Sequence, residues 1–156
     1  MRVRSSDVSP RQAQRLMGAA ASVILLGASS PPFLSAGARA LVMHAFAPVC
    51  HQLPARSPIL DGVQLAVCDR CLGIYGGVLV GILTLGWGRR LWARLRSVDR
   101  IVLLGSLVPI VLDWIGPVLG LWPNAPLSRA GTGFLFGAVA ASFAADRLLL
   151  GLERTG

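Results

Sequence analysis

Four apolar stretches divide this chain, and nearly all of its arginines lie between or outside them. The stretches run from about Leu16 to Leu34, Leu72 to Trp87, Ile101 to Leu121 and Thr132 to Leu150. Each approaches the ~20 residues that a helix needs to cross ~30 Å of hydrocarbon, although the first two are short or broken. Pro31 and Pro32 lie near the end of the first stretch, and Pro109 and Pro117 are expected to kink the third.

Composition closes off the alternatives. Hydrophobic residues are 54% of the 156, and 18 glycines raise the apolar share to about two-thirds, against roughly half in soluble domains. Charged residues are only 14%. A soluble enzyme and a disordered chain are both excluded, because so much apolar surface cannot be left in water. The net charge is +8, and all fifteen basic residues are arginine. They form no patch interleaved with aromatics, so no nucleic-acid partner is expected. The expected partner is the lipid bilayer.

The arginines also give a direction. Arg2, Arg4, Arg11 and Arg15 precede the first stretch; Arg89, Arg90, Arg94, Arg96 and Arg100 join the second to the third; Arg147 and Arg154 end the chain. Only Arg39, Arg56, Arg70 and Arg129 fall on the other side. The positive-inside rule then puts both termini in the cytoplasm. Trp87 and Trp92 mark one membrane face, and Trp114 and Trp122 the other. The expected fold is an all-α, integral membrane bundle of about four transmembrane helices in the cell membrane. Residues 1–15 form an Arg-rich cytoplasmic segment, and 16–150 form one helical domain with an extracytoplasmic loop over 35–71. Residues 151–156 form a cytoplasmic tail. A second reading takes the first stretch as a secretory signal cleaved near Ala36-Gly37-Ala38, which leaves three spans and the same sidedness.

Gly73, Gly77 and Gly81 recur at four-residue spacing in the second stretch, as do Gly133, Gly137, Ala141 and Ala145 in the fourth. Such faces let helix backbones approach closely in lipid, within a bundle or in self-association between copies.

All three cysteines and both histidines fall between His44 and Cys71, in the loop between the first two stretches. Membrane insertion requires no such crowding, so the loop reads as a site. Cys68-x-x-Cys71 has the bite of a zinc half-site, and Cys50 with His51 would complete a Cys₃His tetrahedron for one zinc or iron ion. His44 is a second candidate for the histidine. The same CxxC, at a helix start beside Arg70, also suits thiol–disulfide exchange, which makes a membrane-embedded oxidoreductase the alternative. A third reading is a non-catalytic transport or scaffold bundle in which a structural disulfide links Cys50 to Cys68 or Cys71. Arg56, Arg70, Tyr75, Asp113, Asn124 and Arg129 come from distant parts of the sequence toward the same membrane face, and ionisable groups bordering spans are often functional. These six are expected to frame a pocket beside the cysteines.

The string Pro48-Val-Cys50-His51-Gln52, then Arg56-Ser57, then Leu65-Ala-Val-Cys68-Asp-Arg70-Cys71-Leu-Gly73-Ile-Tyr75-x-Gly77, resembles the signature of small prokaryotic membrane proteins grouped as domain of unknown function 2085. Asp113, Asn124 and Arg129-x-x-Thr132-Gly133 are similar to that family's later pattern. The chain departs from it at Asp69, where a small residue is usual, and at Leu72, where threonine is usual. The resemblance covers about Leu41 to Gly137. It implies a multi-span prokaryotic membrane protein and supplies no activity.

Overall fold

The structure is a computed structural model that describes residues 9–155. Arg2 and Arg4 lie outside the described residues, as do the rest of the first eight positions and the side chain of Arg154. The helices are α1 (Pro10–Ser29), α2 (Ala36–Phe46), α3 (Asp69–Leu83), α4 (Leu85–Arg94), α5 (Asp99–Gly105), α6 (Val108–Val118) and α7 (Pro126–Thr155). A hairpin of two-residue strands, β1 (Ile59–Leu60) and β2 (Val63–Gln64), sits in the cysteine loop.

The fold is all-α, and its long helices stand as four columns. α1 begins where Ser9 caps it: the Ser9 hydroxyl accepts from the Gln12 N–H, and the Gln12 side chain accepts from the Ser9 N–H. This capping box, with Pro10 at the first helical position, starts the helix six residues ahead of the apolar stretch. α1 ends at Ser29, where Pro31-Pro32 supplies no N–H to continue it. Residues 10–15 of the arginine-rich segment are thus the first turns of α1.

α5 and α6 form the third column, of 20 residues from Asp99 to Val118. It breaks at Ser106-Leu107 because Pro109 cannot donate to the Gly105 carbonyl. Its end is a Schellman turn: the Leu121 N–H reaches the Gly116 carbonyl, the Gly120 N–H reaches that of Pro117, and Gly120 takes φ +69°. α7 is a helix of 30 residues, of which Pro126–Gly151 is apolar enough to cross a membrane.

The second column departs from a straight span. α3 stops at Thr84, whose hydroxyl donates back to the Val80 carbonyl, and α4 leaves at 84° to it. The apolar stretch Leu72–Trp87 therefore turns a corner. Among the described residues, two helices suffice by length and composition to cross a membrane, or three if the bent α3–α4 pair is one span. α1 has the length of a span, yet Arg11, Gln12, Gln14 and Arg15 occupy its first turns.

Paired residues set the directions. Ala28 of α1 accepts from the Ala66 N–H just before α3, while Gly18 lies against Ile82 and Leu83 at the end of α3, so the two run antiparallel. Gly73, Gly77 and Gly81 of α3 meet Ala130, Phe134 and Ala138 of α7, so these two run parallel. A Cβ on any of those three glycines would overlap α7 backbone atoms, and one on Gly133 or Gly137 would overlap the Arg70 or Ile74 carbonyl. The two small-residue faces thus meet each other within one chain. One buried cluster joins Ala13, Leu85, Ala145 and Leu149 at the end where α1 starts and α7 finishes. A second, of Ala28, Cys50 and Val67, lies at the cysteine end.

Candidate metal centre

The cysteine loop is an ordered cap on one end of the bundle. Its hairpin turns at Asp61 and Gly62, with φ of +51° and +75°, the two positive values a type I′ turn needs. Gln52, itself at φ +50°, sends its side-chain amide to the carbonyls of Met43 and Ala66, and Gln64 donates to the Gln52 carbonyl. These bonds hold the segment that carries Cys50 against the one that enters α3.

Cys68 is the N-cap of α3, which places Cys71 in its first turn on the same side. Cys50 reaches them from across the loop, and the three sulfurs lie within 4.8 Å of one another. All three are free thiols; Cys50 is buried, and Cys68 and Cys71 are half-buried. The Cys68 N–H donates to the Cys50 sulfur at 3.2 Å. A hydrogen bond from the Cys71 thiol holds the Cys68 thiol well down, to about 5, against the opposing effect of burial.

Of the residues singled out in the sequence, Cys50, Cys68 and Cys71 come together. His51 is exposed and stands outside that group of three, although it lines the same cavity. His44 is exposed near the end of α2. The cavity, about 440 Å³, is lined by Cys50, Cys68 and Cys71 together with Arg56, Arg70 and Trp114. A smaller space of about 140 Å³ adjoins it between Arg56, Arg70, Trp114 and Asn124. Tyr75 packs among the cysteines with its ring 6.2 Å from that of Phe46.

Beside the thiols runs a chain of charged and amide groups. Arg129 of α7 donates from Nε and Nη2 to Asp69 Oδ2, at 3.0 and 2.6 Å, and from Nη1 to both oxygens of Asn124 at 2.8 Å. Asn124 in turn donates to the carboxylate and the carbonyl of Asp113. Asp113 Oδ2 also accepts from Arg70 at 2.5 Å. The network therefore ties the start of α3 to α6 and α7, and it spends Arg70 and Arg129 on carboxylates. Arg56 is exposed, lines both spaces and makes no ion pair among the described residues.

Two further residues take part through contacts that local sequence pattern does not encode. Asp69, which stands where the family usually has a small residue, is buried as the partner of Arg129. Gln52 was visible as part of a motif, but its bonds to Met43 and Ala66 depend on a loop shape that no periodicity encodes.

The profile of the family described as "Predicted membrane protein (DUF2085)" matches residues 50–143, from the first cysteine through most of α7. An uncharacterized protein, MJ1492, from the archaeon Methanocaldococcus jannaschii is 36% identical over 89 residues, which is 57% of this chain. The aligned stretch covers 56% of that protein, so this chain spans little more than half the length of its curated relative. No solved structure matches this chain. With its cysteines, its arginine network and both small-residue faces inside or beside the matched region, the chain belongs to the DUF2085 family of predicted membrane proteins.

Proposed function

We propose that Cys50, Cys68 and Cys71 are the ligands of one soft transition-metal ion, zinc or iron, held at the extracytoplasmic face of a multi-span membrane protein. The observation that carries this reading is the convergence of three sulfurs within 4.8 Å. In a tetrahedral thiolate site with metal–sulfur bonds of about 2.3 Å, sulfurs sit roughly 3.8 Å apart, so the donor set fits with small adjustments. The Cys68 N–H donates to the Cys50 sulfur, the kind of outer hydrogen bond that orients a metal-binding sulfur. His51, next in sequence and on the same cavity, is the candidate fourth ligand; otherwise that position belongs to a molecule entering the cavity. A closed set of four ligands makes the site structural, and an open position makes it a Lewis-acid centre. The extracytoplasmic assignment rests on the arginines gathered at the opposite end of the bundle. The glycine faces are consumed between α3 and α7, so self-association would use other surfaces.

The Cys68 thiolate supports a second reading, thiol–disulfide exchange. Cys68 would attack a substrate disulfide and expel one substrate thiolate. Cys71 would then attack the Cys68 sulfur and expel the second. The substrate disulfide is reduced and Cys68–Cys71 becomes oxidised.

Elemental analysis of the purified protein separates the two. About one zinc or iron per chain, lost on Cys50→Ser and on Cys68→Ser/Cys71→Ser, supports the metal centre. His51→Ala then tests the fourth position. A metal-free protein in which Cys71→Ser traps a mixed disulfide through Cys68 sinks the metal reading and favours exchange.

A further inference from the structure

The opposite end of the bundle carries a second collection of groups. α4 is docked on α7 by one face only. Leu85 is fully buried, and Trp92 is buried with its indole N–H on the Ser142 hydroxyl at 3.2 Å and its ring edge-on to Phe143. The rest of α4 faces outward: Trp87 is 85% exposed, Leu91 is 55% exposed, and Arg90 and Arg94 lie exposed beside them. The 84° corner at Thr84 turns α4 across the bundle end, along the plane of the membrane if α3 crosses it. A helix so placed, with tryptophan and leucine beside arginines, suits the headgroup layer.

The charges there are unbalanced. Asp99 pairs with Arg147, while Asp146 and Glu153 both face Arg89. Arg90, Arg94, Arg96 and Arg100 have no carboxylate partner among the described residues. Arg96 and Arg100 lie on the rim of a space of about 770 Å³ between the α4–α5 turn and α7. It is also lined by Val98, Ile101 and Phe143 and by Asp99, whose carboxylate is spent on Arg147, and the Arg147 guanidinium lies over the Phe143 ring at 5.3 Å. The space thus offers cations to a phosphate and an apolar flank to the carbons attached to it.

We propose that this corner binds an anionic phospholipid, its phosphate between Arg96 and Arg100 and its first acyl carbons along Ile101 and Phe143, with α4 lying in the interface beside it. Charge complementarity selects the lipid: four unpaired guanidiniums in the headgroup layer attract phosphate-bearing anionic lipid and gain little from a zwitterionic one.

The test is native mass spectrometry of the full chain in neutral detergent, titrated with phosphatidylglycerol or with phosphatidylcholine of the same acyl chains. Phosphatidylglycerol should bind selectively. Arg96→Gln/Arg100→Gln should weaken it roughly thirty-fold, at about 1 kcal/mol for each arginine, whereas Arg56→Gln at the cysteine end should leave it unchanged. Equal binding of the two lipids, or an unweakened double variant, overturns the proposal. Glycerol phosphate that competes as well as the lipid shows a free-phosphate site instead and overturns the lipid assignment. Should the double variant fail to fold, hydrogen exchange of the wild type in nanodiscs decides. Amides of residues 85–100 should be protected more with phosphatidylglycerol than with phosphatidylcholine, and equal protection again overturns it.

Discussion

Arg129 of α7 closes on Asp69 of α3 through two hydrogen bonds to a single carboxylate oxygen, with the two side chains only 10% and 9% exposed. Asp69 directly follows Cys68, so α7 positions the start of the CxxC turn. Removing one member leaves the other buried and charged. Arg129→Ala should therefore destabilise the protein by about 3 kcal/mol. Asp69→Ala/Arg129→Ala should cost less than the two single changes added together. A double-mutant cycle of unfolding in mixed detergent micelles measures this, and strict additivity would count against a coupled pair.

The contact between α3 and α7 has little room to change. A Cβ at Gly77 would overlap the Phe134 carbonyl, whereas one at the neighbouring Gly76 would meet the Phe134 ring at an ordinary 3.7 Å. Gly77→Ala should force the helices apart and lower stability by about 1–3 kcal/mol or more. Gly76→Ala should be nearly neutral. Thermal unfolding of the two variants in detergent distinguishes these sites, and equal loss at both would contradict the packing.

Much of this arrangement is legible from residue order because it follows from local pattern. Glycines four apart at 73, 77 and 81 describe a smooth helix face whatever lies opposite, and cysteines at 68 and 71 lie on one side of a helix start by geometry alone. The corner at Thr84 is less legible: the apolar run continues to Trp87, and the bend depends on Leu85 and Trp92 finding α7. Asp99 with Ser97 reads as the start of the third stretch, where α5 does begin, and Asp146 reads as an interfacial residue, yet both carboxylates are buried against arginines from other helices. Long-range partners of that kind leave no periodic trace. Arg129 illustrates the same point, since its carboxylate lies 60 residues away. The hairpin had its signal in Asp61-Gly62, but two-residue strands are too short to alternate.

The hydrogen bond from Cys71 makes the Cys68 thiol acidic, to about 5. Its thiolate is therefore present above that pH and lost below it. In chelator-treated protein, alkylation at Cys68 by iodoacetamide should already be near its plateau at about pH 6.5, where an ordinary thiol of pKa about 8.5 gains roughly tenfold in rate per pH unit. Cys71→Ala removes the donor and should move the reactivity profile of Cys68 upward. Mass-spectrometric alkylation rates between pH 5 and 9 test this, and an unmoved profile in Cys71→Ala would remove the hydrogen bond as the cause.

The two ends of the bundle differ in charge, and the positive-inside rule predicts an orientation from that difference. Arg90, Arg94, Arg96 and Arg100 are exposed at the end with the start of α1, whereas the cysteine end exposes Arg56 and spends Arg70 and Arg129 on carboxylates. Arginines flanking spans are retained on the cytoplasmic side whether or not a carboxylate later pairs with them, so the larger number at the end with the start of α1 sets the expected orientation. Single cysteines placed at Arg56 and at Arg90, in a variant with Cys50, Cys68 and Cys71 changed to serine, should report opposite sides. Right-side-out vesicles should label the cysteine at position 56 with an impermeant maleimide, and inverted vesicles the one at position 90. The reverse pattern would place Cys50, Cys68 and Cys71 in the cytoplasm. There glutathione keeps thiols reduced, so a lasting disulfide would lose its compartment while a metal centre would not. Orientation therefore bears on the chemistry of the site as well as on its address.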